Sequence, residues 1–180
     1  MNCSLEETHT VWTSAKDSPF ECHKAVVLAR MISGRFRTER LIRHWSTVNR
    51  EGYCLLKTCN SMIGSLEHML ISCPGLQSVR TRMQGMYLEK TSILVPLQRA
   101  ISELFGASPE DQLQLILDPM SIDLLKSLAC IYGPTVCDVL FYCSRTFAYY
   151  LYREKAKLLN QWPGDFSAKH QTHCIENRSK

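Results

Sequence analysis

The residues that most constrain the fold are four potential metal ligands in the stretch YCLLKTCNSMIGSLEHMLISCP, residues 53–74. Cys54, Cys59, His68 and Cys73 are spaced C-x4-C-x8-H-x4-C, and Pro74 follows at once. Structural zinc is held in a tetrahedron by four nitrogen or sulfur ligands, and such a closed set leaves no position for a substrate water. The spacing therefore predicts one structural Zn2+ in a small irregular knuckle. The alternative is four unrelated residues in a compact motif.

Composition and cysteine content indicate the class of protein. The 180 residues are 45% hydrophobic and 21% charged, which is typical of a globular chain. Nine cysteines occur without a secretion signal at the polar N-terminus, MNCSLEETHT. We therefore expect a reducing intracellular compartment, nucleus or cytoplasm, where a Cys/His cluster binds metal rather than forming disulfides. No apolar run approaches the ~18 residues that cross a bilayer, so no membrane partner is expected.

Helix signals dominate the rest of the chain. SPFE (18–21) and SPED (108–111) each place a capping serine before proline, and glycines follow apolar helical patterns at positions 34, 106 and 133. The predicted fold class is mainly α, a helical domain with one small irregular Cys3His zinc knuckle at 54–73. We expect a loose leader at 1–17, basic helices plus the knuckle at 18–90, a helical C-terminal region at 91–162 and a tail at 163–180.

Periodicity also assigns charged residues to helix surfaces. After Pro74, one helix has the apolar face Leu76, Val79, Met83 and Tyr87, with Arg80 and Arg82 off that face. The last helix is predicted to run from about Pro134 to Trp162. Its basic surface comprises Arg145, Arg153, Lys155 and Lys157.

A basic segment precedes the knuckle. Residues 30–50 contain six arginines and one glutamate, although the net charge of the chain is only +4. Thr38 can cap a short helix in which Leu41 and Trp45 pack on one side and arginines line another. Guanidinium groups bind phosphate bidentately, and an aromatic ring can stack on a base. The predicted nucleic-acid-binding residues are Arg35, Arg37, Arg40, Arg43 and Tyr53. The alternatives are an exposed basic face and a tyrosine that packs against the knuckle.

The segments ARMISGRFRTERLIRHW, GYCLLKTC and GSLEHMLISCPGLQSVR together resemble a known family. They are similar to the C-terminal zinc-binding region of non-LTR (LINE-like) retrotransposon reverse transcriptases of animals. The resemblance covers most of residues 20–160 and is sharpest in EHMLISCP with its two upstream cysteines. The matching positions are Arg30, Ser33-Gly34-Arg35, Cys54, Cys59, Glu67-His68, Leu70, Cys73-Pro74 and Arg80.

The resemblance implies a detached piece of a longer enzyme. A complete element carries a polymerase domain and usually an endonuclease, but the paired aspartates that hold two metal ions are absent here. We therefore expect a non-catalytic zinc-binding module that binds RNA or DNA through phosphates. Its natural intramolecular partner is the missing polymerase domain. The alternative is a purely structural helical remnant in which zinc is a staple and no nucleic acid binds.

Overall fold

The computed structural model describes residue 12 and residues 18–42, 51–59 and 61–159. Its α-helices are α1 (Pro19–Ile32), α2 (Glu39–Ile42), α3 (Gln77–Thr91), α4 (Val95–Phe105), α5 (Pro109–Leu117), α6 (Asp123–Tyr132) and α7 (Pro134–Leu158). Turns of 3-10 helix lie at Lys57–Cys59, Pro74–Leu76 and Pro119–Ser121, and a π-helical turn lies at His68–Ser72. Within the described ranges, β pairing is limited to an isolated antiparallel bridge between Tyr53 and Ile63. The predicted mainly α class is confirmed.

Some predicted features cannot be placed. The leader, apart from Trp12, and the tail lie outside the described residues, as do Arg43 and Trp45. Among the helices that the structure does describe, none is both long enough and apolar enough to cross a membrane.

The helix boundaries follow the capping residues predicted from sequence. The Ser18 hydroxyl accepts a hydrogen bond from the Glu21 amide (3.5 Å), and the Ser108 hydroxyl accepts one from the Asp111 amide (3.2 Å). These bonds satisfy amides that the first helical turn leaves without partners. Gly34 follows α1 with a φ of 67°, a left-handed conformation that glycine adopts without a steric penalty.

The long helix α7 is the centre of the core. It packs against α1, α3, α5 and α6, so residues from before and after position 90 contribute to one apolar cluster. Fully buried members of this cluster are Leu28, Tyr87, Ile101, Leu115, Leu125, Leu140, Phe147 and Leu151. Each large apolar side chain contributes about 1.5–3 kcal/mol through its burial. The Tyr87 hydroxyl is also satisfied, because it donates to the Leu140 carbonyl (3.4 Å).

Two cations predicted on the surface of α7 are buried instead. The Arg145 side chain is 2% exposed and its Nε lies 2.9 Å from Glu21 Oε2. The Lys155 ammonium lies 2.6 Å from Glu39 Oε2. The surface prediction was wrong for these two residues because their partners are more than 100 positions away in sequence, where helix periodicity carries no information. Arg153 and Lys157 are exposed, as predicted.

Candidate metal centre

A short hairpin-like loop, residues 52–64, positions the first two cysteines. The Cys54 amide donates to the Met62 carbonyl (2.7 Å) and the Gly64 amide donates to the Gly52 carbonyl (2.8 Å). At the turn, the Cys59 amide donates to the Leu56 carbonyl (2.9 Å), and the Cys59 carbonyl accepts from the Met62 amide (2.9 Å). These backbone bonds hold the loop in a conformation in which both thiols are buried, with Cys54 8% and Cys59 1% exposed.

Two glycines let helix α2 approach this loop. A Cβ atom on Gly52, whose φ is 74°, would lie 2.8 Å from Arg40 Cα, and one on Gly64 would lie 2.7 Å from Glu39 Oε2. The Arg40 amide donates to the Gly64 carbonyl (3.2 Å). The start of the basic segment is thus fixed directly to the backbone of the loop, and side chains at the two glycine positions would push it away.

A π-helical turn positions the other two ligands. The Ser65 hydroxyl accepts a hydrogen bond from the His68 amide (3.0 Å) and so caps the turn. In an α-helix, residue i+5 lies about 140° around the axis from residue i. Here the Cys73 amide instead donates to the His68 carbonyl (2.7 Å), and this i→i+5 ring widens the turn. The wider turn brings Cys73 back to the side of the helix that carries His68, and Pro74 follows it.

The four predicted ligands lie together. One ligand atom from each of Cys54, Cys59, His68 and Cys73 lies within 4.8 Å of all the others, and the four residues are buried. The Sγ atoms of Cys59 and Cys73 are 3.4 Å apart. That separation is far longer than the ~2.05 Å of a disulfide and close to the ~3.8 Å expected between two sulfurs bound tetrahedrally at ~2.3 Å. The cluster is compatible with one metal ion.

His68 has the environment of a metal ligand. Its Nδ1 lies 3.2 Å from the Ser72 hydroxyl, whereas its buried Nε2 has no hydrogen-bond partner. Buried polar atoms rarely lack partners, and a ligating histidine usually donates its other ring N–H to an acceptor. Burial above all, and then the nearby Lys155 ammonium, lower the pKa of His68. The imidazole therefore stays neutral near pH 7, the form that binds a metal.

The thiols of Cys54 and Cys73 interact with each other. A hydrogen bond to Cys73 raises the pKa of the Cys54 thiol, and burial raises it further. The same contact with Cys54 lowers the pKa of Cys73. The contact therefore makes Cys73 the more acidic thiol of this pair and Cys54 the less acidic one. A divalent cation in the cluster offers a stronger partner than that shared proton, and ligating cysteines bind as thiolates.

Sequence reasoning missed the groups that support the ligands. Arg80, predicted off the apolar face of α3, is 4% exposed and donates from its guanidinium to the Cys73 carbonyl (2.9 Å) and the Leu70 carbonyl (3.0 Å). The buried pair Glu39–Lys155 is close enough to His68 to shift its pKa. The sequence did contain a signal that Arg80 is buried. At helical spacing, position 80 lies on the same face as Leu76, Met83 and Tyr87, just as position 79 does.

None of the predicted nucleic-acid-binding residues is one of the four ligands. Arg35 and Arg37 are exposed on the segment that leads into α2, Arg40 is exposed within α2, and Arg43 lies outside the described residues. Tyr53 is partly buried in the loop, and the Glu51 carboxylate raises the pKa of its phenol.

The packing predicted for α2 is wrong at Leu41, whose side chain is 41% exposed rather than packed. The described part of the basic segment contacts the knuckle through its backbone at Arg40, whose amide donates to the Gly64 carbonyl.

No protein-family model, characterised protein or solved structure matches this chain.

Proposed function

We propose that the chain is a non-catalytic module organised by one structural Zn2+ and associated with nucleic acid. The observation that supports it most is the buried cluster itself: one ring nitrogen of His68 and the three cysteine sulfurs lie within 4.8 Å of one another, and the buried Nε2 of His68 has no hydrogen-bond partner. Three thiolates and one imidazole in a compact, buried set suit zinc, which accepts sulfur and nitrogen ligands tetrahedrally. A closed set of four protein ligands supports structure rather than chemistry, because no position remains for a reacting water.

The exposed arginines support the nucleic-acid part of the proposal. Arg35, Arg37 and Arg40 present guanidinium groups beside the knuckle. Glu39, the single acidic residue between positions 30 and 50, is buried against Lys155 and so does not neutralise them at the surface. Phosphate groups of RNA or DNA are the partners that such a face recognises.

The resemblance to the zinc-binding region of non-LTR retrotransposon reverse transcriptases agrees with this proposal. Under this proposal the chain corresponds to that zinc-binding region, and it acts in the nucleus or cytoplasm, where thiols remain reduced. Its contribution is to hold a basic surface in place, not to make or cut a strand.

Binding to single-stranded RNA and DNA at several salt concentrations tests the phosphate face. The double variant Arg40→Ala with Arg43→Ala removes two predicted phosphate contacts, so the slope of log K against log salt is expected to become shallower by ~1.4–1.8. Lys126→Ala with Arg153→Ala is the matched control, since it removes the same charge from exposed positions on α6 and α7. Fluorescence anisotropy measures both slopes.

The control distinguishes a specific face from general attraction. If both double variants lower the slope equally, only the net charge matters and the assignment of the phosphate face is wrong. Unchanged binding in the Arg40/Arg43 variant contradicts the assignment more directly.

A second candidate function is a structural docking module without nucleic-acid binding. Leu55, Met62 and Ile63 are 41–47% exposed on the 52–64 loop, an apolar surface that a partner can cover. The missing polymerase domain is the partner that the resemblance suggests. This candidate predicts stability that depends on zinc, no salt-sensitive binding of nucleic acid, and aggregation of the isolated chain that Met62→Ser with Ile63→Ser relieves.

A further inference from the structure

Arg80 is a buried cation without a charged partner. Its side chain donates to the carbonyls of Leu70 (3.0 Å) and Cys73 (2.9 Å) and to the amide oxygen of Gln77. None of these acceptors carries a charge, and no carboxylate of the described residues forms an ion pair with Arg80. An arginine remains protonated in proteins, and an uncompensated buried charge is strongly unfavourable. Among the described residues, therefore, no carboxylate balances the positive charge of Arg80.

The other buried charges beside the cluster cancel each other. Lys155 and Glu39 form a close pair, 2.6 Å apart, with side chains that are 10% and 5% exposed. The remaining charge must come from the ligands themselves. Three thiolates, one neutral imidazole and one divalent cation have a net charge of −1. This charge would balance the +1 charge of the Arg80 guanidinium. A monovalent cation in the same ligands would leave −2, and a trivalent cation would leave zero.

We propose that Arg80 is the counter-ion of a metal centre with a net charge of −1, in which a divalent cation is bound by all three cysteines as thiolates. The inference rests on the proposed metal site and adds its charge state and the residue that balances it. Arg80 is a positioning residue rather than a ligand, because it reaches the centre through the Cys73 carbonyl.

A purely structural role makes a different prediction. If Arg80 only ties the Leu70 and Cys73 carbonyls together, its charge is irrelevant, and any loss of the two hydrogen bonds has the same effect whatever the charge of the centre. If Arg80 balances charge, its removal matters only while the centre is anionic.

Zinc affinity of the full chain, measured by competition with a chromophoric chelator, separates the two roles. Arg80→Gln is expected to weaken zinc binding about 10–100-fold, as loss of an outer partner of a metal site typically does. Arg80→Lys keeps the charge and is expected to remain within about tenfold of wild type on the same scale. Arg82→Gln is the matched control, because Arg82 is exposed on the same helix and contacts the Tyr150 ring instead. Its affinity should equal wild type.

A double-mutant cycle with Cys54→His is the sharper test. This substitution replaces the most exposed of the three cysteine ligands and leaves two thiolates around the divalent cation, so the net charge of the centre becomes zero. In that background Arg80→Gln should weaken zinc binding by less than about threefold, or improve it. The absorption spectrum of bound Co2+ verifies the number of thiolates in each variant.

An equal cost of Arg80→Gln in both backgrounds overturns the inference and leaves the metal site standing. Loss of more than about tenfold in Arg80→Lys overturns it as well, even if Arg80→Gln fails to fold. A folded, reduced wild-type chain that binds no divalent cation overturns the proposed function and this inference together.

Discussion

The knuckle (residues 52–73) and the bundle formed by α3–α7 bury different kinds of side chain. In the bundle, side chains such as Leu140 and Phe147 exclude water from a continuous apolar core. In the knuckle, the buried positions include Cys59, His68 and Cys73, whose side chains are polar and form part of a cluster that is compatible with one metal ion. The bundle is therefore stabilised by many small contributions. The knuckle adds Leu56, Met69 and Leu70 to the same apolar core, but its four ligand residues are expected to depend on a single metal ion.

The magnitudes of these contributions differ accordingly. Each buried large apolar side chain contributes about 1.5–3 kcal/mol, so loss of one residue weakens the bundle without abolishing it. Structural zinc in small peptides binds with about 10–16 kcal/mol, and that binding energy is also folding energy. Damage to the bundle should be graded, and damage to the metal ligands should be close to all-or-none.

Phe147→Ala is the largest single change that we expect the bundle to survive. Phe147 is fully buried and stacks on Phe105 with ring centroids 6.1 Å apart, so the variant should lose about 3–5 kcal/mol of unfolding free energy. Urea unfolding followed by circular dichroism measures this loss. Below the transition, the variant should still bind one zinc ion, because none of the four ligands lies on α7.

The control for this variant lies on α6. Leu124 is 51% exposed, and Leu124→Ala should change the unfolding free energy by no more than about 0.5 kcal/mol. A loss of zinc in Phe147→Ala under folding conditions would show that the two regions do not differ as described.

Gly52→Ala tests the knuckle with a smaller expected effect. The added Cβ lies 2.8 Å from Arg40 Cα, and the positive φ of 74° disfavours any L side chain. The strain of roughly 1–3 kcal/mol should appear as weaker zinc binding, because the knuckle folds with its metal. Chelator competition measures the affinity, and the urea transition of the bundle should not move.

Gly85→Ala is the matched change in the bundle, and it should stabilise the protein where Gly52→Ala destabilises it. Gly85 lies within α3, and a Cβ there meets no other atom within 4 Å. The substitution should stabilise the helix by about 0.5–1 kcal/mol and leave zinc affinity unchanged. Equal effects of the two alanines on zinc binding would contradict the assignment of Gly52 to the knuckle contact.

The parts of the structure that sequence predicted are those with local causes. The Ser18 and Ser108 caps fixed the starts of α1 and α5 through bonds that span three residues. The ligand set was also local, since its four members lie within 20 consecutive residues and Ser65 caps the turn that carries His68.

The missed features depend on contacts between distant parts of the chain. Lys155 and Arg145 were assigned to a surface because a helix pattern cannot reveal Glu39 and Glu21, which approach only after folding. The π-helical turn was missed because the sequence HMLIS (68–72) does not distinguish a π-helical turn from an α-helix. The turn occurs at the point where Cys73 is brought to the same side as His68. The arginines beside the knuckle were found, but their partner stays a prediction.

Zinc stoichiometry by native mass spectrometry tests the central claim most directly. The reduced full chain and its His68→Ala variant are the essential pair. His23→Ala is the control, because His23 is exposed and contacts only the Tyr149 ring among the interactions described for it. One zinc ion in the wild type and in His23→Ala, and none in His68→Ala, is the predicted result. A folded wild-type chain without zinc, or a His68→Ala variant that retains it, would contradict a Cys3His metal centre.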